Sequence, residues 1–271
     1  MKVSLIQMNS TNDKPRNLKQ ARELMETAVR EDAPDLLVLP EVFDFLGGTG
    51  AEKRAAAETI PDGPAYALCR EIAATHKVFV HAGSILEKVP GEERLHNTTI
   101  VFDRTGKQIA RYRKIHLFDI VTPDGMSYKE SASIKPGDEV VTYDLDGVTV
   151  GCSICYDLRF SELFIQLAKK GAQVIALPAA FTLQTGKDHW EVLCRARAIE
   201  TETYFLAAAQ HGPHTQGNET RHTYGHSMVV DPWGQVTAMA PDGVGIISAR
   251  IDPKRVEKVR RMIPVAQHRV L

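Results

Sequence analysis

The sequence predicts an α/β fold built as a four-layer α-β-β-α sandwich with two similar halves. Short apolar runs alternate with longer segments of helical periodicity along the whole chain, which is typical of α/β proteins. Three segments of the first half also recur in the second half, in the same order and at similar offsets. Two mixed sheets packed face to face, with helices outside, would satisfy both observations. The alternative is that the chain reuses similar strands without an internal repeat.

The predicted elements follow in order along the chain. The first half contains strands at 3–7, 36–40 and 78–83, helices at 17–30 and 64–75, and a hairpin at 99–113. The second half contains strands at 148–154, 174–177 and 204–209, helices at 160–170 and 187–200, and a hairpin at 227–239. The helices are predicted from apolar residues at helical spacing, the strands from short apolar runs, and each hairpin from an Asp-x-x-Gly turn.

The internal repeat pairs three segments. The matched pairs are 36–40 with 174–178, 77–82 with 203–208, and 101–106 with 229–234. No low-complexity segment and no Gly/Ser-rich linker separates the two halves in the sequence. We therefore expect residues 1–271 to form a single domain.

Composition excludes several classes of protein. The 271 residues include 33 Lys+Arg and 34 Asp+Glu, for a formal net charge of −1, and 43% of them are hydrophobic. This is the composition of a globular chain long enough to bury a core, and it excludes disorder, collagen and coiled coil. A near-neutral charge argues against nucleic acid or an anionic membrane as the main partner, because both attract a positive surface.

Three further features of the sequence bear on the cellular compartment of the protein. Gln7 interrupts the apolar N-terminal stretch, which argues against a signal-peptide core. The longest apolar stretches, such as 174–181, fall short of the ~18 residues that a membrane span needs. Four cysteines do not make a disulfide framework for a chain of this length, so we expect reduced thiols. These observations predict a soluble, cytoplasmic protein.

Cys155 is the candidate nucleophile. It lies between a predicted strand and a pattern that becomes helical by about Phe160, and therefore at a strand-to-helix elbow. Backbone N–H groups and a helix N-terminus nearby are expected to lower the pKa of its thiol. One alternative is a plain buried cysteine. The other is a redox or metal-binding C-x-x-C with Cys152, but Cys152 falls inside the strand and the sequence has no second C-x-x-C.

Two charged residues are candidate partners of this cysteine. Glu41 directly follows a predicted buried strand, where a carboxylate can serve as a general base. Lys114 ends a strand of the predicted hairpin and could stabilise an oxyanion. Taken alone, Glu41 could equally be a solvated loop residue and Lys114 part of a surface basic cluster.

Together, Glu41, Lys114 and Cys155 resemble the catalytic triad of the nitrilase superfamily of carbon–nitrogen hydrolases. The resemblance covers essentially the whole chain, and it includes the motifs at 39–41, 112–117, 155–160 and 189–191. The fold that it implies is a sandwich of two similar halves. Further blocks resemble the Nit branch, and specifically the deaminated-glutathione amidases; they lie at 189–200, 207–210, 224–234 and 267–269.

The resemblance implies a cysteine-dependent amidase that needs no cofactor and no metal. Glu41 would act as general base, Lys114 and the backbone N–H of Tyr156 would form the oxyanion hole, and Glu130 would position the substrate or Lys114. The implied substrate is a small amide, and deaminated glutathione would yield 2-oxoglutarate and Cys-Gly. The alternatives are an omega-amidase acting on 2-oxoglutaramate, a nitrilase proper, and a binding protein of the same fold without catalysis. The intact triad disfavours the last of these.

Such a substrate is anionic and needs a cation near the site. Arg159, four residues beyond Cys155, is the candidate, because a guanidinium binds a carboxylate with two hydrogen bonds. The alternative is a structural ion pair of Arg159 with Asp157 or Glu162. Tyr156 and Phe181 each follow a predicted core strand and are candidate pocket walls, or simply packing residues.

Two stretches, 119–128 and 210–223, follow no pattern of the resembling family and are expected to shape the pocket. Four histidines fall in or beside the second stretch, and a metal site there is a minor alternative to a polar loop; they are His211, His214, His222 and His226. Proteins of this family usually dimerise through helices that flank the nucleophile. The resemblance therefore also implies a homodimer or a higher homo-oligomer.

Overall fold

The computed structural model describes residues 1–122 and 125–270. In chain order the strands are β1 (Lys2–Gln7), β2 (Leu36–Val38), β3 (Phe79–Glu87), β4 (His96–Phe102), β5 (Gln108–Arg113), β6 (Asp119–Val121), β7 (Ser127–Lys129), β8 (Thr142–Leu145), β9 (Val148–Cys152), β10 (Val174–Ala179), β11 (Tyr204–Ala209), β12 (His211–Gln216), β13 (Glu219–Tyr224), β14 (Met228–Val230), β15 (Val236–Met239) and β16 (Gly245–Arg250). The α-helices are α1 (Lys14–Asp32), α2 (Gly50–Ala56), α3 (Pro64–His76), α4 (Ser161–Lys169), α5 (Leu183–Thr201), α6 (Pro253–Met262) and α7 (Val265–His268).

Two six-stranded sheets share one topology. Their strand orders are β16-β1-β2-β3-β4-β5 and β8-β9-β10-β11-β14-β15. In each sheet the second, third and fourth strands in this order run parallel, and every other neighbouring pair is antiparallel. The repeated sequence segments fall on equivalent strands, namely β2 with β10, β3 with β11, and β4 with β14. The internal repeat is therefore confirmed as two structurally similar halves.

The central strands are buried on both faces, which is why they read as continuous apolar runs. In β2, Leu36 and Val38 lie in the core between the two sheets, whereas Leu37 lies in the core beneath α1 and α3. On the far side, Leu167 of α4 and Trp190 of α5 pack against the second sheet. Helices thus cover the outer face of each sheet, and the predicted four-layer sandwich is confirmed.

Sequence reasoning missed the polar and edge strands. The strands β12 and β13 pair as a separate two-stranded hairpin, as do β6 and β7. The predicted helix at 187–200 begins earlier, at Leu183, because the side chain of Thr182 caps its N-terminus.

Among the described residues, no helix combines the length and the apolar character that crossing a bilayer requires. The residues at 123 and 124, inside the predicted pocket-shaping stretch 119–128, lie outside the described residues.

The turn that carries Glu41 rests against β3. The backbone N–H of Val42 donates to Ser84 Oγ (2.9 Å), and Gln210 Nε2 donates to the Glu41 carbonyl oxygen (3.0 Å). Gly83 has a φ of +34°, and a Cβ built there would lie 2.0 Å from the carbonyl oxygen of Pro40. Only a glycine allows this close approach of the two backbones. Gly83 therefore sets the position of the Glu41 turn.

We predict that Gly83→Ala destabilises the protein by about 1–3 kcal/mol through overpacking, beyond the cost of its positive φ. Gly171→Ala is the matched control, because Gly171 has a φ of +88° but nothing lies within 4 Å of its hypothetical Cβ. Urea unfolding of both variants measures the difference. An equal loss of unfolding free energy in the two variants would contradict the steric argument.

Candidate active site

Cys155 lies at a sharp turn between a strand and a helix, as the sequence predicts. The strand β9 ends at Cys152, and a single 3-10 turn (Cys155–Arg159) precedes α4. Cys155 adopts a φ of +47°, a conformation that residues with side chains rarely take, and it is 6% exposed. Cys152 is fully buried in the core between the sheets, as expected, and both thiols are free.

Asp157 fixes this turn to the strand that leads to Lys114. One carboxylate oxygen, Oδ2, accepts from the Tyr112 hydroxyl (2.6 Å) and from the Ile154 backbone N–H (2.8 Å). The other oxygen, Oδ1, accepts from the His116 backbone N–H (3.0 Å) and lies 2.7 Å from His116 Nδ1. Because Tyr112 and His116 flank Lys114, this fully buried carboxylate ties the nucleophile turn to the lysine.

Lys114 lies between two glutamates. Its Nζ is 2.9 Å from Glu41 Oε1 and 2.9 Å from Glu130 Oε2, and its side chain is 2% exposed. Asn97 Nδ2 donates to Glu41 Oε1 (2.8 Å) and to Glu130 Oε1 (3.4 Å), so it bridges the same two carboxylates. The Glu41 carboxylate also lies close enough to the Cys155 thiol to influence its pKa. The structure thus brings together all four residues predicted to be catalytic.

The charges of the site hold Lys114 protonated. Burial alone would lower the pKa of its ammonium group, but the carboxylates of Glu130 and Glu41 outweigh burial and raise that pKa well above its ordinary value. A lysine held in this state keeps its positive charge at neutral pH and donates hydrogen bonds. It is therefore suited to stabilise an oxyanion and unsuited to act as a base.

The expected lowering of the Cys155 pKa is wrong. Burial raises the pKa of the thiol well above its ordinary value, and the Glu41 carboxylate raises it further. Lys114 and a hydrogen bond from the Ala180 backbone lower it, but they do not compensate. Cys155 is thus a neutral thiol at rest, and a thiol in this state needs a base to take its proton if it is to act as a nucleophile.

These side chains line one cavity of about 410 Å³. Glu41, Lys114, Glu130 and Cys155 all face it, and Tyr156 and Phe181 lie in its walls, as the sequence predicts. Phe118 packs edge-to-face on Tyr156, with ring centroids 5.1 Å apart. The stretch 210–223 contributes several lining residues from β12 and β13, and the stretch 119–128 contributes two.

Arg159 is not among the residues that line this cavity in the described part of the chain. Its guanidinium lies over the rings of Phe181 (5.4 Å) and Tyr156 (5.9 Å) and is 3.3 Å from His189 Nδ1. The alternative ion pairs of Arg159 do not form either. Tyr112, His116 and Ile154 occupy the Asp157 carboxylate, and the Glu162 carboxylate is not within 4.0 Å of Arg159. Arg159 therefore packs on Tyr156 and Phe181, the aromatic wall of the cavity, without facing the cavity itself.

Sequence reasoning missed several residues of the cavity. Asn97 carries little signal of its own, since it lies in a run of four polar residues (96–99) at the start of β4, all of which are buried. The Ala180 backbone follows the end of β10, next to the strand that leads to Cys155. Lys53 of α2 and Arg221 of β13 also line the cavity, but nothing in their local sequence separates them from solvated cations.

A family model described as "Carbon-nitrogen hydrolase" matches residues 2–261 of this chain. The chain is 43% identical over 271 residues to a deaminated glutathione amidase of Synechocystis sp., with 99% of this chain and 97% of that protein covered. It is 36% identical over 274 residues to an omega-amidase of Saccharomyces cerevisiae, with 99% and 93% covered.

Two solved structures are similar over the full length of this chain. The crystal structure of the C. elegans NitFhit protein matches with a TM-score of 0.91 and 39% identity, and the match covers 99% of this chain and 65% of that one. The crystal structure of a Saccharomyces cerevisiae member of branch 10 of the nitrilase superfamily matches with a TM-score of 0.89 and 34% identity. That match covers 100% of this chain and 97% of the other.

We predict that the Cys155 thiol ionises at a higher pH than a free cysteine, because burial and Glu41 favour its neutral form. Glu41→Gln removes the negative charge that raises the pKa, while Lys114 remains, so the ionisation midpoint should move to lower pH. Thiolate absorbance at 240 nm, recorded against pH as the difference from Cys155→Ala, measures both midpoints. A midpoint at or below that of free cysteine in the unmodified protein would contradict the prediction.

Proposed function

This chain belongs to the carbon–nitrogen hydrolase family of the nitrilase superfamily, and from that membership we propose that it hydrolyses deaminated glutathione to 2-oxoglutarate and Cys-Gly. Its general activity is that of an amidase acting on non-peptide C–N bonds. The observation that carries the amidase chemistry is that Cys155, Glu41 and Lys114 all face one cavity.

Acylation follows from the geometry. Glu41 takes the Cys155 proton while the sulfur attacks the amide carbonyl carbon, since the neutral thiol needs a base in contact with it. The carbonyl oxygen becomes an oxyanion, which Lys114 and the backbone N–H of Tyr156 stabilise. The tetrahedral intermediate then expels the amine, which receives the proton from Glu41. A thioester of Cys155 remains.

Deacylation uses the same residues, with water as the attacking group in place of the Cys155 sulfur. Glu41 removes a proton from water, which attacks the thioester carbonyl, and the same oxyanion hole stabilises the second intermediate. Collapse releases the carboxylic acid, and Cys155 regains its proton from Glu41. Glu130 remains in its ion pair with Lys114 (2.9 Å) and keeps that ammonium group in place throughout. The cycle needs only water besides the substrate.

The substrate assignment rests on the relatives. The Synechocystis protein at 43% identity is named a deaminated glutathione amidase, and so is a Mus musculus protein at 40% identity. A second candidate is omega-amidase activity on 2-oxoglutaramate, which the yeast relative at 36% identity favours. Both substrates present the same kind of acyl group, and they differ in the amine that leaves.

We predict that the purified protein turns over deaminated glutathione faster than 2-oxoglutaramate when both are assayed side by side. The acyl transfer depends on one sulfur, so Cys155→Ala should lose more than about 1,000-fold in kcat/KM. Release of 2-oxoglutarate, measured with a coupled dehydrogenase, follows both reactions. Cys152→Ala is the matched control, because that thiol lies in the core and takes no part in the chemistry.

Three other outcomes of these assays would change the assignment or the mechanism. A preference for 2-oxoglutaramate that still requires Cys155 would assign the omega-amidase function instead. Turnover that survives in Cys155→Ala would overturn the mechanism. A nitrile hydrolysed faster than either amide would make the protein a nitrilase proper.

We also propose that the protein forms a homodimer through the outer face of α5. Val192 and Ile199 lie seven positions apart, and therefore on one face of that helix, yet they are 66% and 50% exposed. Trp233, at 47% exposed, adjoins Gly234, which packs against Ile199. An exposed apolar patch of this kind is typical of a protein interface.

The unmodified protein should sediment as a dimer, and Ile199→Glu should shift it to a monomer, because the new charge would be buried in the interface. Analytical ultracentrifugation over a range of concentrations measures both. A control substitution away from the patch, Lys19→Glu, should leave the sedimentation unchanged. A monomeric unmodified protein would overturn this proposal.

A further inference from the structure

Four basic side chains lie close together on the wall of the triad cavity. Lys53 comes from α2, His214 from β12, and Arg221 and His222 from β13, and all four line the cavity. We call this group the cationic pole. Neither the mechanism nor the aromatic walls make use of it.

Lys53 lacks a counterion. Among the described residues, no carboxylate lies within ion-pair distance (4.0 Å) of its Nζ. Burial lowers the pKa of its ammonium group, the Glu130 carboxylate offsets part of this, and Arg221 has a smaller effect that lowers the pKa again. An incompletely paired ammonium group that faces a cavity is suited to receive an anion.

Arg221 lies near Lys53, and its side chain is also largely excluded from solvent. Its side chain is 11% exposed, and its guanidinium lies 4.3 Å from the ring centroid of Tyr128. Its carboxylate partner is Glu219 (3.0 Å), whose own side chain is 61% exposed and therefore screens the charge weakly. The pole thus keeps two positive charges whose compensation is incomplete.

His214 adds an unused hydrogen-bonding atom. The residue is 9% exposed, and its buried Nδ1 has no hydrogen-bond partner in the described part of the chain. Burial lowers the pKa of this imidazole to about 4, and the charges of Arg221 and Lys53 contribute. Because the His214 ring lines the cavity and is held neutral, it can contact a ligand held by its two neighbours without adding a third charge.

The carboxylates and the cations of the cavity differ in how they are paired. Glu41 and Glu130 are each 2.9 Å from Lys114, whereas the positive charges of Lys53 and Arg221 on the cavity wall are incompletely compensated. A carboxylate in the cavity is therefore attracted to Lys53 and Arg221. This attraction can orient an amide that carries a remote carboxylate, with its carbonyl at Cys155.

We propose that the cationic pole is the subsite for a carboxylate of the substrate remote from the scissile amide, with Lys53 and Arg221 as its principal ligands. The inference deepens the proposed function, since it relies on the amidase activity but not on the identity of the natural substrate. It also replaces Arg159 in the role that the sequence predicts for it. The carboxylate can belong to the acyl group or to the leaving amine.

Two pairs of isosteric amides test the proposal. Glutaramate and neutral glutaramide differ in an acyl-side carboxylate, and N-butyrylglycine and N-butyrylglycinamide differ in a leaving-side carboxylate. In at least one pair, Lys53→Met should lower kcat/KM for the acid by about 10- to 100-fold, mainly through KM, as expected for a lost charge-assisted hydrogen bond. The neutral member of the pair should change by less than about threefold.

Three controls keep the result interpretable. Lys53→Arg should restore most of the selectivity for the acid, because it retains the charge. Lys187→Met removes an exposed lysine of the neighbouring cleft and should change neither pair. In addition, glutarate binding to Cys155→Ala, measured by calorimetry, should weaken by about 10-fold or more when Lys53→Met is added.

The outcomes separate this inference from the proposed function. The pair whose acid is affected identifies which carboxylate the pole holds. An equal loss for the acid and its neutral isostere, or no loss in either pair together with unchanged glutarate binding, would overturn the subsite. A substrate other than deaminated glutathione would change the proposed function but leave the selectivity of Lys53 for acids intact.

Discussion

The structure of the site depends on one buried ammonium group held between two carboxylates. Lys114 is almost completely excluded from solvent, and its charge would be costly there without Glu41 and Glu130. The same pairing fixes where each carboxylate can lie, and Asn97 fills the remaining space between them. Glu41, Lys114 and Glu130 are thus a single electrostatic unit, and Cys155 faces the same cavity.

The two halves of the fold contribute unequally to that unit. Glu41, Asn97 and Lys114 follow or belong to strands of the first sheet, whereas Cys155 follows a strand of the second. Asp157 joins the two contributions, since it accepts hydrogen bonds from both sides of the boundary. The duplicated architecture therefore supports one site, located where the two sheets meet, and not two equivalent sites.

Sequence reasoning selects Glu41, Lys114 and Cys155 because each follows a strand by one to three residues, within a distinctive motif. It fails for Arg159, because spacing along the chain does not fix the direction of a side chain on a 3-10 turn. It also mistakes the sign of the Cys155 pKa shift, since a local pattern reveals nearby N–H groups but not burial or the charge of Glu41. Lys53 and Arg221 lie outside the two sheets, on polar segments whose pattern does not show which cation faces a cavity.

The closing strand of the first sheet constrains how the chain is assembled. The second sheet is drawn from the single stretch 142–239, whereas the first needs β16, near the end of the chain, to cover β1 at its beginning. During synthesis the first sheet therefore has an open edge beside β1 until residues 245–250 leave the ribosome. The half that is translated first is thus the last to be completed, and Glu41 and Lys114 follow strands of a sheet that is finished only when residues 245–250 are made.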